Sequence, residues 1–191
     1  MARKLLFVDR DGTLVREPHD YQIDDLSKIS FLPGVIHAMK SLVDMGFEPV
    51  MVTNQDGLGS ESYPLEKFQQ SMDKIIEVFE GEGVKFLKVC VDEHFPEDNH
   101  PNRKPNTGMV TELIASDDFD LSNSYMIGDR STDAMFARNV GCRSITIKDP
   151  DSADGEAKVK IRSDAPIATV HVTSWAEIVE HIRNAHAKAA V

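Results

Sequence analysis

Apolar positions fall along this chain in two alternating rhythms. Leu5-Leu6-Phe7-Val8 is an unbroken apolar run of strand length, the pattern of a central parallel strand covered on both faces. Pro33-Gly34 then opens a helix whose Val35, Ile36, Met39, Leu42 and Val43 recur at helical spacing, and Gly46 closes it. Pro49 to Val52 reads as a second strand with Pro49 as its first residue, because proline donates nothing to a ladder. Residues 64–80 carry Leu65, Phe68, Met72, Ile75, Ile76 and Phe79 on one helical face. Phe86 to Val91 predicts a third strand, 107–116 a helix, Tyr125 to Ile127 a fourth strand, 132–140 a helix ended by Gly141, and Ser144 to Ile147 a fifth strand. Over 149–165 the period is lost among Asp, Ser, Gly, Lys and Pro, which predicts a surface excursion. Thr169 to Val172 forms a last strand. Ser174-Trp175-Ala176-Glu177 is a capping box that starts the final helix, with Trp175 expected in the core. This alternation predicts an α/β three-layer sandwich around a central parallel sheet, in a single domain over 1–191.

The polar residues at the predicted strand ends carry the candidate chemistry. Asp9-Arg10-Asp11-Gly12-Thr13 follows the first strand directly, and sites in open parallel sheets gather beyond the carboxyl ends of the strands. Alone, an Asp-Gly pair is a turn. Thr53-Asn54-Gln55, Arg103-Lys104-Pro105 and Gly128-Asp129-Arg130-Ser131-Thr132-Asp133 fall beyond other predicted strands, in an order that turn composition does not explain.

These four segments resemble the four motifs of the haloacid-dehalogenase-like phosphatases. Asp9 to Leu14, Glu17-Pro18, Phe31 to Ile36 and Thr53 to Gly59 further resemble the histidinol-phosphate phosphatases, some of which are fused to an imidazoleglycerol-phosphate dehydratase. The resemblance implies Asp9 as the nucleophile, which takes the phosphoryl group as an aspartyl-phosphate. Asp11 is then the general acid that protonates the leaving alkoxide and afterwards the base for water. It implies Mg²⁺ held by the carboxylates of Asp9 and Asp129 and the backbone carbonyl of Asp11, with Asp133 orienting the ion's water from further out. Physical chemistry agrees with a cation: Asp9, Asp11 and Asp129, crowded together, raise each other's pKa unless a divalent ion sits among them. Thr53 and Asn54 are expected to donate to phosphate oxygens, Lys104 to neutralise the dianion, and Arg103 to contact substrate.

The chain departs from its relatives where many carry a Cys-x-His…Cys-x-Cys zinc loop. Here Asp92, His94, His100 and Asn102 stand in that stretch; Asp92, His94 and His100 are candidate Zn²⁺ ligands, but in a set without thiolates, and with Asn a poor fourth ligand, a tightly held Zn²⁺ is not expected. Glu17, a short loop beyond the nucleophile, is a candidate for meeting a cationic substrate, with Asp20 and Asp56 weaker candidates. His37, His171, His181 and His186 show no pairing pattern. No long insertion follows Thr13, and 55–103 holds one helix and one strand, so no large cap domain is expected.

Composition narrows the partners. With 32 acidic and 21 basic residues the chain carries −11 at pH 7. A small phosphorylated metabolite is favoured over nucleic acid or a membrane surface. The apolar run before Asp9 is shorter than a signal peptide's core, and no window reaches membrane-span length, so a cytoplasmic location is expected. Cys90 and Cys142 are expected as free thiols. Three other readings stay open: a heptose bisphosphate phosphatase, a polynucleotide 3′-phosphatase and a non-catalytic binding module. Residues 183–191 are a candidate lead into a second domain such as the dehydratase.

Overall fold

The computed structural model describes residues 2–150 and 169–189. Six parallel strands form one sheet in the order β3-β2-β1-β4-β5-β6: β1 Lys4–Val8, β2 Phe47–Asn54, β3 Lys88–Asp92, β4 Tyr125–Gly128, β5 Arg143–Ile147 and β6 Thr169–Val172. Among the described residues five α-helices accompany them: α1 Val35–Asp44, α2 Leu65–Gly81, α3 Thr111–Ile114, α4 Ser131–Val140 and α5 Trp175–Ala189. The strand period of two sorts β1 between two cores. Leu6 and Val8 face one layer, where α1, α2 and α5 bring Met39, Leu42, Phe68, Ile75, Phe79, Trp175 and Ile178. Leu5 and Phe7 face the other, against Val110 and the Phe136, Ala137 and Val140 stripe of α4. The layers are those of the expected sandwich. Among the described residues, the segment after β1 holds nothing larger than a 3₁₀ turn at Leu26–Lys28, and no cap domain is present.

Three expectations need correction in detail. Pro49 is not the first residue of β2 but its third. It is tolerated because its carbonyl accepts from Leu87 N at 2.8 Å. Its nitrogen therefore faces the β3 side, where β3 begins only at Lys88, opposite Val50. The helix expected over 107–116 is broken into a 3₁₀ turn, Gly108–Val110, and the single turn α3. Gly108 packs so tightly on the Pro101 carbonyl and Asn102 that a Cβ there would lie 2.6 Å from both. The strand expected at 86–91 runs from Lys88 to Asp92. The excursion expected over 149–165 lies, from residue 151 on, outside the described residues, although Asp149 is anchored by Arg16 Nε at 2.8 Å. Cys90 and Cys142 are unpaired, as expected. No described helix is long and apolar enough to cross a membrane.

Candidate active site

Strand pairing assembles the site. The β1–β4 register sets Val8 opposite Ile127, and Asp9 N donates to the Ile127 carbonyl at 3.0 Å, so the residue leaving β1 lies beside the residue leaving β4. Asp9 and Asp129 are thereby brought together. Asp133 joins them from the first turn of α4, where its Oδ2 accepts from Arg130 N at 3.1 Å and so binds the helix's own N-terminus. Carboxylate oxygens of Asp9, Asp129 and Asp133 all lie within 4.8 Å of one another. Two glycines make room for them. A Cβ on Gly128 would sit 2.3 Å from the Asp133 carboxyl carbon, and one on Gly12, whose φ is +73°, would sit 2.4 Å from Asp129 Oδ2.

Lys104 is the cation inside this cluster. Its ammonium donates to Asp9 Oδ1 at 2.8 Å and to Asp133 Oδ1 at 2.7 Å, and the residue is 3% exposed. Burial alone would lower its pKa, but Asp133 and Asp9 outweigh burial and hold it charged. One buried lysine does not balance three carboxylates. Burial first, and then the neighbouring Asp133 and Asp11, push Asp9 up to about 7 against the pull of Lys104. Asp129 is raised well above the ordinary carboxylate range by burial, Asp9 and Asp133. Its Oδ1 is buried without a hydrogen-bond partner. An orphaned oxygen and surplus negative charge on hard oxygen donors fit a small divalent cation such as Mg²⁺.

The remaining expected residues fall near this centre with unequal commitments. Thr53, at the end of β2, is buried, and its Oγ1 accepts from Gln55 Nε2 at 2.7 Å, which leaves its own proton to donate outward. The side chain of Asn54 is spent on the Lys104 backbone, accepting from its N–H at 3.0 Å and donating to its carbonyl at 3.2 Å. Asn54 thus holds Lys104 in place. The Asp11 carboxylate is held by Arg10 and Gln55, and Asp133, whose two oxygens accept from Lys104 Nζ and Arg130 N, lies beside Asp9 and Asp129. Glu17 is ion-paired with Arg130 at the rim, and Arg130 Nε also lies 3.9 Å from Asp129. Arg103 forms a two-pronged pair with Asp56 at 2.5 and 3.2 Å and donates to the His94 carbonyl, tying two loops together. Asp20 pairs with Lys28.

Asp92, His94 and His100 do converge. His94 Nδ1 is 2.8 Å from Asp92 Oδ1, and His100 Nδ1 is 3.5 Å from the same oxygen, with the two rings stacked at 3.5 Å. Arg103 lies 3.9 Å from the other Asp92 oxygen, so this buried carboxylate already has cationic and hydrogen-bonding company.

Sequence reading passed over Arg10, Gln55, Tyr63 and Arg130. Arg10 carried a signal: it continues the Leu6–Val8 face by the strand period, and an arginine on a core face must be paired.

This sheet order, with four polar segments at its carboxyl edge, defines a class. A family model described as HAD-hydrolase-like matches residues 101–171, and the chain belongs to the haloacid-dehalogenase-like hydrolases. Within that family it is 41% identical, over 95% of its length, to a histidine biosynthesis bifunctional protein HisB of Spirosoma linguale, covering 49% of that protein. It is 44% identical over 75% of its length to the HisB bifunctional protein of Stenotrophomonas maltophilia, covering 40% of it. The chain thus spans about half the length of the curated relatives it matches. Among solved structures it resembles a D,D-heptose 1,7-bisphosphate phosphatase of B. bronchiseptica complexed with magnesium and phosphate. The TM-score is 0.80 and the identity 23%, over 95% of this chain and 98% of that one. A putative HAD-like phosphatase of Mesorhizobium loti matches with a TM-score of 0.73 and 25% identity, over 96% and 87% of the two chains.

Proposed function

We propose that the chain hydrolyses a small phosphomonoester through an aspartyl-phosphate on Asp9, and that the substrate is L-histidinol phosphate. The observation that carries the chemistry is the buried Lys104 ammonium bridging Asp9 and Asp133 beside Asp129, whose buried Oδ1 has no hydrogen-bond partner. In that setting a phosphoryl group meets a carboxylate nucleophile with a fixed cation 2.8 Å away. Asp9 attacks phosphorus, and the bond to the leaving oxygen breaks as Asp11 gives that oxygen a proton. Water then attacks the phosphoryl group, loses a proton to Asp11, and regenerates the Asp9 carboxylate with release of inorganic phosphate. Lys104 and the Thr53 hydroxyl stabilise the equatorial oxygens. Asp9, Asp129 and Asp133 would hold Mg²⁺, which supplies charge neutralisation at the phosphoryl oxygens when bound.

The substrate reading rests on likeness to HisB proteins over 95% of the chain and on Glu17, a carboxylate at the rim suited to a cationic substrate. A heptose bisphosphate is the second reading, favoured by the backbone likeness to that phosphatase. Phosphate release from histidinol phosphate, heptose bisphosphate and a 3′-phosphorylated oligonucleotide, compared by kcat/KM with Mg²⁺, tests the assignment. Histidinol phosphate is expected to lead. Faster turnover of either competitor overturns the substrate, and full activity of Asp9→Asn overturns the chemistry.

A further inference from the structure

A second buried polar cluster adjoins the nucleophile's loop, built from Arg10, Gln55 and Tyr63, none of which exchanges a proton or touches phosphate in the proposed reaction. Arg10 is fully buried, and its guanidinium grips both oxygens of Asp11, Nε to Oδ1 at 2.8 Å and Nη2 to Oδ2 at 2.9 Å. Gln55 Nε2 adds a third bond to Asp11 Oδ2 at 2.8 Å. The grip is itself braced. Tyr63 OH donates to Gln55 Oε1 at 2.8 Å, and Arg10 Nη2 donates to the same oxygen at 2.6 Å. The Phe68 ring of α2 lies 5.2 Å from the guanidinium carbon, closing the apolar side. Gln55 and Tyr63 are 2% and 1% exposed, so these two side chains are out of reach of solvent and of a substrate, while Asp11 at 8% keeps an edge on the site.

Burying an arginine and two further polar side chains is costly unless the arrangement fixes something. Here it fixes the orientation of one carboxylate, whose neighbour in the chain is the nucleophile. We propose that Gln55 and Tyr63, acting with Arg10, are positioning residues that aim the Asp11 carboxyl at the leaving oxygen and at the attacking water. The proposal rests on the phosphatase reading above and extends it to residues that never touch the substrate. In the first step the proton on Asp11 moves to the leaving oxygen as its bond to phosphorus breaks and the Asp9–phosphorus bond forms. In the second, water's proton returns to Asp11 as the Asp9–phosphorus bond breaks. Both transfers need the carboxyl in one narrow orientation.

Leaving-group chemistry separates this role from simple scaffolding. An alkoxide needs a proton to depart, whereas p-nitrophenolate departs without one. For Gln55→Leu, kcat/KM on an alkyl phosphomonoester (histidinol phosphate or glycerol phosphate) should fall roughly 10–100-fold, part of the ~10²–10⁴ that general acid catalysis supplies. The loss on p-nitrophenyl phosphate should be at least about tenfold smaller, since only the protonated departure is impaired. Tyr63→Phe, which removes a single oxygen, should show the same pattern with smaller amplitude, and it keeps the test valid should Gln55→Leu fold poorly. In an Asp11→Asn background, Gln55→Leu should cost nothing further on the alkyl ester, because its effect passes through Asp11. Equal losses on both esters, or an undiminished loss in the Asp11→Asn background, overturn the positioning role. An inactive wild-type protein overturns the phosphatase reading instead.

Discussion

At the scale of single residues, the decisive fact is that the charged side chains around the carboxylate trio, Glu17, Arg103 and Arg130, already have partners. Glu17 is the clearest case, because its carboxylate is held by Arg130. A cationic substrate end must share or replace that arginine, so Glu17→Gln removes a substrate contact and releases Arg130 together. A charge-assisted contact is worth about 1.5–3 kcal/mol. We therefore expect kcat/KM for histidinol phosphate to drop roughly 10–100-fold in Glu17→Gln. Turnover of p-nitrophenyl phosphate, which has no cation to recognise, should drop far less. Equal losses would mean that Glu17 serves only to hold Arg130. What sequence could not show was the pairing itself. Glu17 and Arg130 are far apart in the chain and meet only because β1 and β4 are neighbours. Arg103 and Asn54 teach the same lesson: both stand at expected positions, yet their side chains are spent on Asp56 and on the Lys104 backbone.

At the scale of elements, the strand ends set the geometry and glycines set its tolerance. The apolar runs made the strands legible, and their order along the chain made the carboxyl-edge site legible. Gly12 shows how little slack is left. With φ at +73° and Asp129 Oδ2 2.4 Å from an added Cβ, alanine there would strain the backbone and move a carboxylate. A left-handed alanine costs roughly 1–2 kcal/mol. Displacing a catalytic group by about 1 Å can cost 10²-fold in rate. Gly12→Ala should accordingly remain folded, with kcat/KM lowered by about two decades and weaker Mg²⁺ binding by calorimetry. Unchanged Mg²⁺ affinity would show that Asp129 has room the structure does not display. The helix expected over 107–116 failed at this same scale, because Gly108 serves a close backbone contact and not a helical turn.

For the molecule as a whole, the site is a source of instability that a bound cation would relieve. Asp9 has a folded pKa of about 7 against an ordinary 3.8. The folded state therefore binds this proton more tightly than the unfolded chain does. Raising the pH through that window removes the proton and favours unfolding, and Asp129 adds to the effect in the same direction. Carboxylates with lowered values, such as Asp20, Asp25 and Asp120, act oppositely but below the ordinary carboxylate range. Metal-free protein should thus lose thermal stability from about pH 5 to 7.5, and Asp9→Asn should be the more stable form at the upper end. Mg²⁺ at about 100 times its Kd adds ~2.7 kcal/mol. For a chain of this size that is roughly 5–10 °C in Tm, and the gain should be larger at pH 7.5 than at pH 5, where protons compete for the ligands. A metal-free melting temperature that rises across the same window would refute this account.

Trp175 connects this centre to the far end of the chain. It is fully buried at the start of α5, and its indole Nε1 donates to the Thr13 carbonyl, 2.9 Å away, in the loop that carries Asp9 and Asp11. It is also the chain's single tryptophan. The chain consequently carries one indole, which excitation at the red edge isolates from its three tyrosines, and its polar handle is fastened to the reacting loop. Indole emission is sensitive to that hydrogen bond and to nearby charge. Titrating Mg²⁺ or inorganic phosphate into the unlabelled protein should therefore be visible as a change in emission, an optical record of site occupancy that needs neither substrate nor turnover.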